Sequence, residues 1–377
     1  MPSIRLPGQF SHPDLRINTE QFILQDYLPP TTKGPDKKPR FFFKDKLYHG
    51  FFDLSNESKK KMEVARVANQ ECWRFEGIDK VVEVFFRVDF NTLKSGTSGT
   101  PMEKALSMAD QFEEIPAGKN YIALDCRGVP LVALYVDAYE KVWGPDMGNY
   151  IVKTTTENID KLARFVQPSP PKDPRRHGNY NNWIAECHDQ PWATGPAARS
   201  GVYYFGMWRE MGHNTLAVLT KDMEGRGANA SAMVRALQLW CGNITQTIDV
   251  CFAGIDPATR DKYRTAYKSI QQEATKNSSQ TVMDDLFPFR ALLVNVLTEP
   301  HKDQKDWRNG WAWLTPFGKF ERGLFCITLL RRKFNFQPGM VLGIRGEKLE
   351  HFTTKWNGTN RYSWVFAFHQ SVQEELG

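Results

Sequence analysis

The sequence predicts an α+β protein that ends in a β-sandwich or barrel. Two observations carry this. From Phe289 onward, short apolar runs alternate with Gly, Pro and Asn turns, and the segment just before carries two helical patterns. The first half mixes strand-like clusters with turn signals.

Taken in order, residues 1 to about 40 are rich in proline and charge (Pro29-Pro30, Lys33 to Pro39) and read as an arm over the surface. Ser58 to Lys61 resembles a weak nuclear signal, or equally a solvated helix face. Val81–Phe90 and Tyr121–Val136 cluster β-branched and aromatic residues as strands do, separated by the Lys94–Thr100 turn region. Six prolines between Gln167 and Pro196 predict a break without regular structure. Asn229–Trp240 has apolar residues at helical spacing. Asp256-Pro257 supplies an N-cap and an N1 proline for a helix to about Ala274. The runs Ala291–Leu297, Leu324–Leu330, Met340–Ile344 and Tyr362–Phe368 are the C-terminal strands. Three segments are expected: an N-terminal α+β region with its arm (1–165), a proline-rich connector with helices (166–280), and a catalytic segment (281–377).

With 377 residues, 41% hydrophobic and 24% charged, the chain can bury a sizeable core and is not disordered by composition. Its formal charge of +6 favours a polyanionic partner. The six scattered cysteines form no C-x-x-C pair, so a disulfide framework or zinc ribbon is not indicated, and a reducing compartment is the simpler reading. No stretch approaches the ~18 apolar residues that span a bilayer, so the expectation is a soluble, intracellular monomer.

The chemistry concentrates in the last eighty or so residues. In Thr298-Glu-Pro-His301-Lys-Asp303, an extended chain would project His301 and Asp303 to the same side. Alone, H-x-D is a weak signal. A second histidine, His351, follows in Leu349-Glu-His351-Phe, and two histidines with one carboxylate form the facial triad of non-haem Fe(II) oxygenases. Zinc hydrolysis is the rival use of such ligands. Beyond His351 comes Arg361-Tyr-Ser363, with both side chains on one face of an apolar strand. An arginine fork plus a hydroxyl can hold the distal carboxylate of 2-oxoglutarate while its keto-acid end chelates iron, an anchor that a zinc hydrolase does not need. Arg290 and Arg345 are the other candidate anchors.

Between Asp285 and Gln370 the pattern resembles the TET/JBP family of Fe(II)/2-oxoglutarate-dependent nucleic-acid base dioxygenases, which oxidise the methyl group of 5-methylcytosine or thymine in DNA. The matching features are His301-Lys-Asp303 with its preceding strand, Asp306, Gly310, Pro316-x-Gly318, Pro338-Gly339, Arg345-Gly346 before His351, and Arg361-Tyr-Ser363-Trp-Val-Phe-Ala-Phe-His369. The resemblance implies a double-stranded β-helix (jelly-roll) core with flanking helices and an N-terminal extension. It also implies Fe(II) on His301, Asp303 and His351, and 2-oxoglutarate on Arg361 and Ser363. Asp306 and His369 would contact a base flipped out of DNA, and a nuclear location follows. An acceptor carboxylate suits the exocyclic amine of cytosine, which thymine lacks, so 5-methylcytosine is the expected substrate. N6-methyladenine demethylation, thymine hydroxylation, RNA as the partner, and a silent nucleic-acid-binding module are the alternatives. The animal members' cysteine-rich region has no counterpart here, so the chain looks like the compact microbial or fungal type.

Other residues draw blander readings. Cys187-His188-Asp189, with His177 and His213, fits no ligand spacing and reads as a structured loop. Gly225–Ser231 reads as a capping loop with a capacity for phosphate. Arg175-Arg176 and Arg331–Lys333 are candidate phosphate contacts or solvated charge. Trp307, Trp311, Trp313, Phe317, Trp356 and Trp364 read mostly as core or lid aromatics, with one of them able to serve as a base platform.

Overall fold

The computed structural model describes residues 81–96, 99–190, 192–193, 199–208, 218–224, 228–276 and 285–373. The proline-rich arm, the Ser58–Lys61 run, Gly225–Gly227 and His213 lie outside the described residues.

Thirteen strands form two sheets. In chain order they are β1 (Val81–Phe85), β2 (Glu113–Ile115), β3 (Asn120–Leu124), β4 (Pro130–Tyr135), β5 (Gly201–Trp208), β6 (Val218–Leu219), β7 (Phe289–Val294), β8 (Ala312–Arg322), β9 (Phe325–Ile327), β10 (Arg332–Phe334), β11 (Val341–Ile344), β12 (His351–Thr353) and β13 (Trp356–Ala367). The large sheet runs β1-β3-β4-β11-β8-β13-β7-β5-β6 and the small one β12-β9-β10-β2. All pairings are antiparallel except β1 with β3 and β2 with β10. The fold is thus mixed α+β, with large antiparallel sheets, and the nine-stranded sheet draws on every part of the described chain.

The helices are α1 (Met102–Ala109), α2 (Ala138–Trp143), α3 (Pro145–Phe165), α4 (Pro174–His177), α5 (Tyr180–Glu186), α6 (Ala228–Ile255) and α7 (Pro257–Lys276), with single turns at Lys221–Glu224 and Gln370–Gln373. In α3, Ile151, Thr155, Ile159 and Leu162 recur at helical spacing and are buried. In α6 the same rule selects Val234, Leu237, Cys241, Ile244, Ile248 and Cys251. These faces pack with Tyr263, Tyr267 and Ile270 of α7 on one side of the large sheet, against Leu292, Val294, Trp313, Trp364 and Phe366. The opposite side of that sheet packs on the small sheet, where Leu342, Ile344 and Leu314 meet Phe325, Ile327, Phe334 and Ile115. The result is three layers: helices, large sheet and small sheet. β3 and β4 are buried along their whole length, which is why both read as unbroken apolar runs.

The proline-rich break is a correction to the sequence reading, for α4 and α5 lie inside it. Pro174 starts α4 instead of preventing it. A first-turn proline loses no helical hydrogen bond, and the Asp173 carboxylate caps the turn by accepting from the Arg175 N–H at 3.0 Å. Cys187, His188 and Asp189 turn off the end of α5, with His188 and Asp189 exposed.

At the α6–α7 junction Asp256 does more than cap. One oxygen accepts from the Thr259 N–H at 3.1 Å, while the other takes the Trp311 indole at 3.0 Å and the Arg345 guanidinium at 2.8 Å. Arg345 also donates to the carbonyls of Pro130 (3.1 Å) and Asn309 (2.6 Å), and it lies 4.2 Å from the Trp311 ring and 5.1 Å from that of Phe90. Arg345→Met should leave Asp256 buried without its counter-charge and lower unfolding free energy by about 3–5 kcal/mol. Urea denaturation of the metal-free protein measures this; a loss under 1 kcal/mol would show that the network is dispensable.

Candidate metal centre and substrate cleft

After β7 the chain turns at Asn295, whose φ of 55° is in the left-handed region that asparagine tolerates. Its N–H donates to the Arg361 carbonyl at 2.8 Å, and its side-chain oxygen accepts from the Arg361 N–H at 2.7 Å, locking the turn to β13. The extended chain that follows meets the start of β12 at one antiparallel bridge. There His301 N–H donates to the His351 carbonyl at 3.1 Å, and His351 N–H returns the bond at 3.0 Å. Residues directly opposite in such a pair point to the same side. The two imidazoles therefore sit together, ring centroids 4.3 Å apart.

Asp303 joins them from two residues on, its N–H held by the Gly346 carbonyl at 2.9 Å. Ligand atoms of His301, Asp303 and His351 all lie within 4.8 Å of one another, and all three residues are buried. The tautomers follow from hydrogen bonds to carbonyls, which only accept. His301 Nδ1 donates to the Glu299 carbonyl at 2.8 Å, and His351 Nδ1 donates to that of Leu349 at 2.9 Å. The other nitrogen of each ring, Nε2, is turned to the Asp303 oxygens at 3.4 Å and 3.6 Å. Burial, with His301 beside it, pushes the His351 pKa down to about 4, so the ring is neutral at physiological pH. Burial alone would raise the Asp303 carboxyl, yet the Arg176 guanidinium 3.0 Å away holds it well below the usual carboxylate range. Two imidazoles and one carboxylate fit a divalent transition metal.

Within the apolar run of β13, Tyr362, Trp364 and Phe366 enter the helix-side core, so Arg361, Ser363 and Val365 face the small sheet. Arg361 is buried, with its guanidinium 5.2 Å from the Phe320 ring and its Nε without a hydrogen-bond partner. No described carboxylate pairs with it. Burial lowers its pKa to about 10, which leaves it cationic. A buried, unpaired cation is costly unless an anion completes it, so the site fits a carboxylate ligand. The two other candidate anchors are engaged elsewhere: Arg290 bonds Asp285 and Gln238 on the helix side, and Arg345 bonds Asp256.

Asp306 and His369 form a second antiparallel bridge, reinforced where Trp307 N–H donates to the Phe368 carbonyl at 2.5 Å. Burial and the neighbouring Asp303 charge raise the Asp306 carboxyl well above its ordinary value, and burial lowers His369 to about 4. The Asp306 carboxyl, shifted towards its protonated form, and the neutral His369 imidazole thus lie side by side. Beside them the cleft floor is open. Arg290, Leu292 and Val294 of β7 are buried, but Phe289, Ala291 and Leu293, on the other face, are only half-buried.

Some functional residues carried no clear sequence signal. Arg176, read there only as a phosphate contact or solvated charge, reaches Asp303 because α4 folds over the site, with the Arg176 carbonyl accepting from the Glu299 N–H at 2.9 Å. His177 Nδ1 donates to the Leu297 carbonyl at 3.1 Å, and burial lowers its pKa to about 4. The tryptophans resolve as packing: Trp311, Trp313, Trp356 and Trp364 are buried, and Trp307 stacks on Tyr263 at 5.0 Å.

No family model matches the chain, and no curated protein matches it. Its structural neighbours are TET-type and ALKBH-type proteins. One is described as "NgTET1 in complex with 5mC DNA", at 16% identity and a TM-score of 0.46, covering 72% of this chain and 89% of that one. Another is "The structure of OsALKBH1", at 12% identity and a TM-score of 0.19, covering 29% and 62% respectively. Among the described residues, no helix is long and apolar enough to cross a membrane.

Two outcomes follow from this geometry. A Cβ at Gly346 would collide with Asp303 Oδ2, so Gly346→Ala should displace the ligand carboxylate and weaken Fe(II) binding at least tenfold, measured anaerobically by calorimetry. Unchanged affinity would remove Asp303 from the ligand set. The second concerns pH. His177, His351 and His369 have folded pKa values near 4, below the unfolded value of about 6.5, so the unfolded chain binds more protons between these limits. Stability of the metal-free protein should therefore fall as pH drops from about 6.5 towards 4, and the slope should shrink in His177→Gln.

Proposed function

We propose that this chain is an Fe(II)- and 2-oxoglutarate-dependent dioxygenase that oxidises the methyl group of 5-methylcytosine in DNA. One observation carries the reading: two imidazole nitrogens and a carboxylate converge on one point, while a buried arginine facing the same inter-sheet space has no counter-ion among the described residues. His301, Asp303 and His351 would hold the iron, and Arg361 with Ser363 would hold the distal carboxylate of 2-oxoglutarate. When bound, this pair supplies the oxidation, in which dioxygen converts 2-oxoglutarate to succinate and carbon dioxide and hydroxylates a C–H bond. The surrounding jelly-roll arrangement would keep water from the reacting methyl group.

The protein's own contribution is placement. Arg176 pins Oδ1 of Asp303, the oxygen that also lies 3.4 Å from His301 Nε2, and leaves Oδ2 to face His351 Nε2 at 3.6 Å. A neutral Asp306 presents one O–H donor and one carbonyl acceptor side by side. Cytosine offers the matching ring-nitrogen acceptor and exocyclic amine, and His369, bridged to Asp306, would hold the same edge. Adenine presents the same pair, which keeps N6-methyladenine demethylation as the second reading. Thymine has no exocyclic amine.

Duplexes carrying 5-methylcytosine, N6-methyladenine or thymine, analysed by product mass and succinate release, decide between these readings. Hydroxymethylcytosine is the expected product, unmodified adenine with formaldehyde the rival one, and no oligonucleotide-dependent succinate from any duplex would end the enzyme assignment. Arg361→Ala should raise the 2-oxoglutarate requirement by two orders of magnitude or so while Fe(II) binding survives, since a charge-assisted fork is lost from a buried site. An unaltered requirement would show that the co-substrate sits elsewhere. Asp306→Ala should cut cytosine preference by about 1–3 kcal/mol, read as the product ratio on matched duplexes.

A further inference from the structure

An aromatic ladder that neither the ligand set nor the base-reading pair uses leads outward from the cleft. The Phe289 ring lies 4.4 Å from the His369 imidazole, and Tyr204 stacks on Phe289 with centroids 5.7 Å apart and planes 26° apart. Register explains the ladder: Tyr204 pairs with Ala291, and Ala291 with Val365, so Tyr204 projects to the cleft side of the sheet. The residue opposite Phe289 on β5 is Gly206, which puts no side chain between the two rings. The Tyr204 backbone is clamped at both ends, its N–H donating to Asp222 at 2.7 Å and its carbonyl accepting from Thr220 at 2.6 Å. Its ring is nonetheless 39% exposed.

Positive charge lies on the same side. Arg176 pairs with Asp303 at 3.0 Å, the Lys305 carbonyl accepts from the N–H of Gln370, the residue after His369, and Arg175 is exposed on the same short helix as Arg176. The acids nearby are occupied, Asp173 by Arg175 and Asp222 by the Tyr204 N–H. A free methylated base would fill only the inner end of the ladder. A polynucleotide explains both the exposed ring and the cations.

We propose that Tyr204 is a stacking platform for the nucleobase next to the one taken into the cleft, with Arg175, Arg176 and Lys305 receiving the backbone phosphates around it. This rests on the nucleic-acid reading above. Stacking on an aromatic side chain is tolerant of base identity, so Tyr204 would add affinity without choosing sequence.

The test is anaerobic binding of short single-stranded oligonucleotides containing one 5-methylcytosine, followed by fluorescence anisotropy at fixed salt with the Fe(II)- and 2-oxoglutarate-loaded protein. Tyr204→Ala should weaken binding roughly five- to hundred-fold, Tyr204→Phe should keep it, and Tyr204→Leu should lose it. An abasic position on the proper side of the methylcytosine, 5′ or 3′, should weaken wild type equally and have no further effect on Tyr204→Ala. Full affinity in Tyr204→Ala, equal affinity in Tyr204→Leu and Tyr204→Phe, or losses that simply add on both sides would each overturn the proposal. If wild type binds no oligonucleotide although 2-oxoglutarate binds normally, the nucleic-acid reading fails and the platform with it. Normal 2-oxoglutarate affinity in every variant shows that the fold and the metal site are intact.

Discussion

Arg345 joins parts of the chain that are far apart in sequence. Its guanidinium bonds Asp256 at the junction of two long helices, the carbonyl that opens β4, and the carbonyl of Asn309 ahead of β8. The aromatic rings of Trp311 and Phe90 flank it. A charge this deeply buried is tolerated only when each N–H finds an acceptor, and that requirement fixes all of these elements at once. The next residue is Gly346, whose carbonyl holds the Asp303 N–H and whose missing side chain makes room for the Asp303 carboxylate. The Asp303 carboxylate thus inherits its position from a structural ion pair on the other side of the strand end.

Electrostatics in the cleft divide along the same line. On one side Asp303 is kept ionised by Arg176, a partner that comes from a one-turn helix more than a hundred residues upstream. Three residues on, Asp306 has burial and a like charge against it and favours its neutral form. Environment alone shifts two neighbouring aspartates in opposite directions. Arg361 is the complement: a cation for which the protein supplies an aromatic face, Phe320, but no described counter-charge. The protein itself balances the charge at Asp303 and leaves a positive one at Arg361, as a site for a divalent metal with a dicarboxylate requires.

Geometry in the site is set by two short backbone bridges, His301 with His351 and Asp306 with His369. Each closes a contact between segments about fifty or sixty residues apart with very few hydrogen bonds, and each is braced by a neighbour: the Asn295 turn for the first, the Trp307–Phe368 bond for the second. A slip of one residue in either would turn a functional side chain to the opposite face. The half-buried face of β7, with Phe289, Ala291 and Leu293, adjoins the second bridge, the Phe289 ring lying 4.4 Å from His369.

By itself the sequence determined the local chemistry. H-x-D, the later histidine and R-x-S could be read because each pair sits within one extended segment, where period-two alternation fixes which side chains share a face. The two long helices were also legible, since apolar spacing in α6 and the Asp256-Pro257 cap are local signals. Only the tertiary structure decided the rest. The pairing of β4 with β11, which carries the first half of the chain into the large sheet, depends on side-chain packing that no window of sequence displays. Helix α4 was hidden because its prolines argue against helix unless one of them falls at the first position. Arg176 and Tyr204 were hidden for a different reason: an arginine beside another arginine and a tyrosine on an edge strand are ordinary surface residues until the fold brings them, from over a hundred and from about a hundred residues away, to the mouth of the metal site.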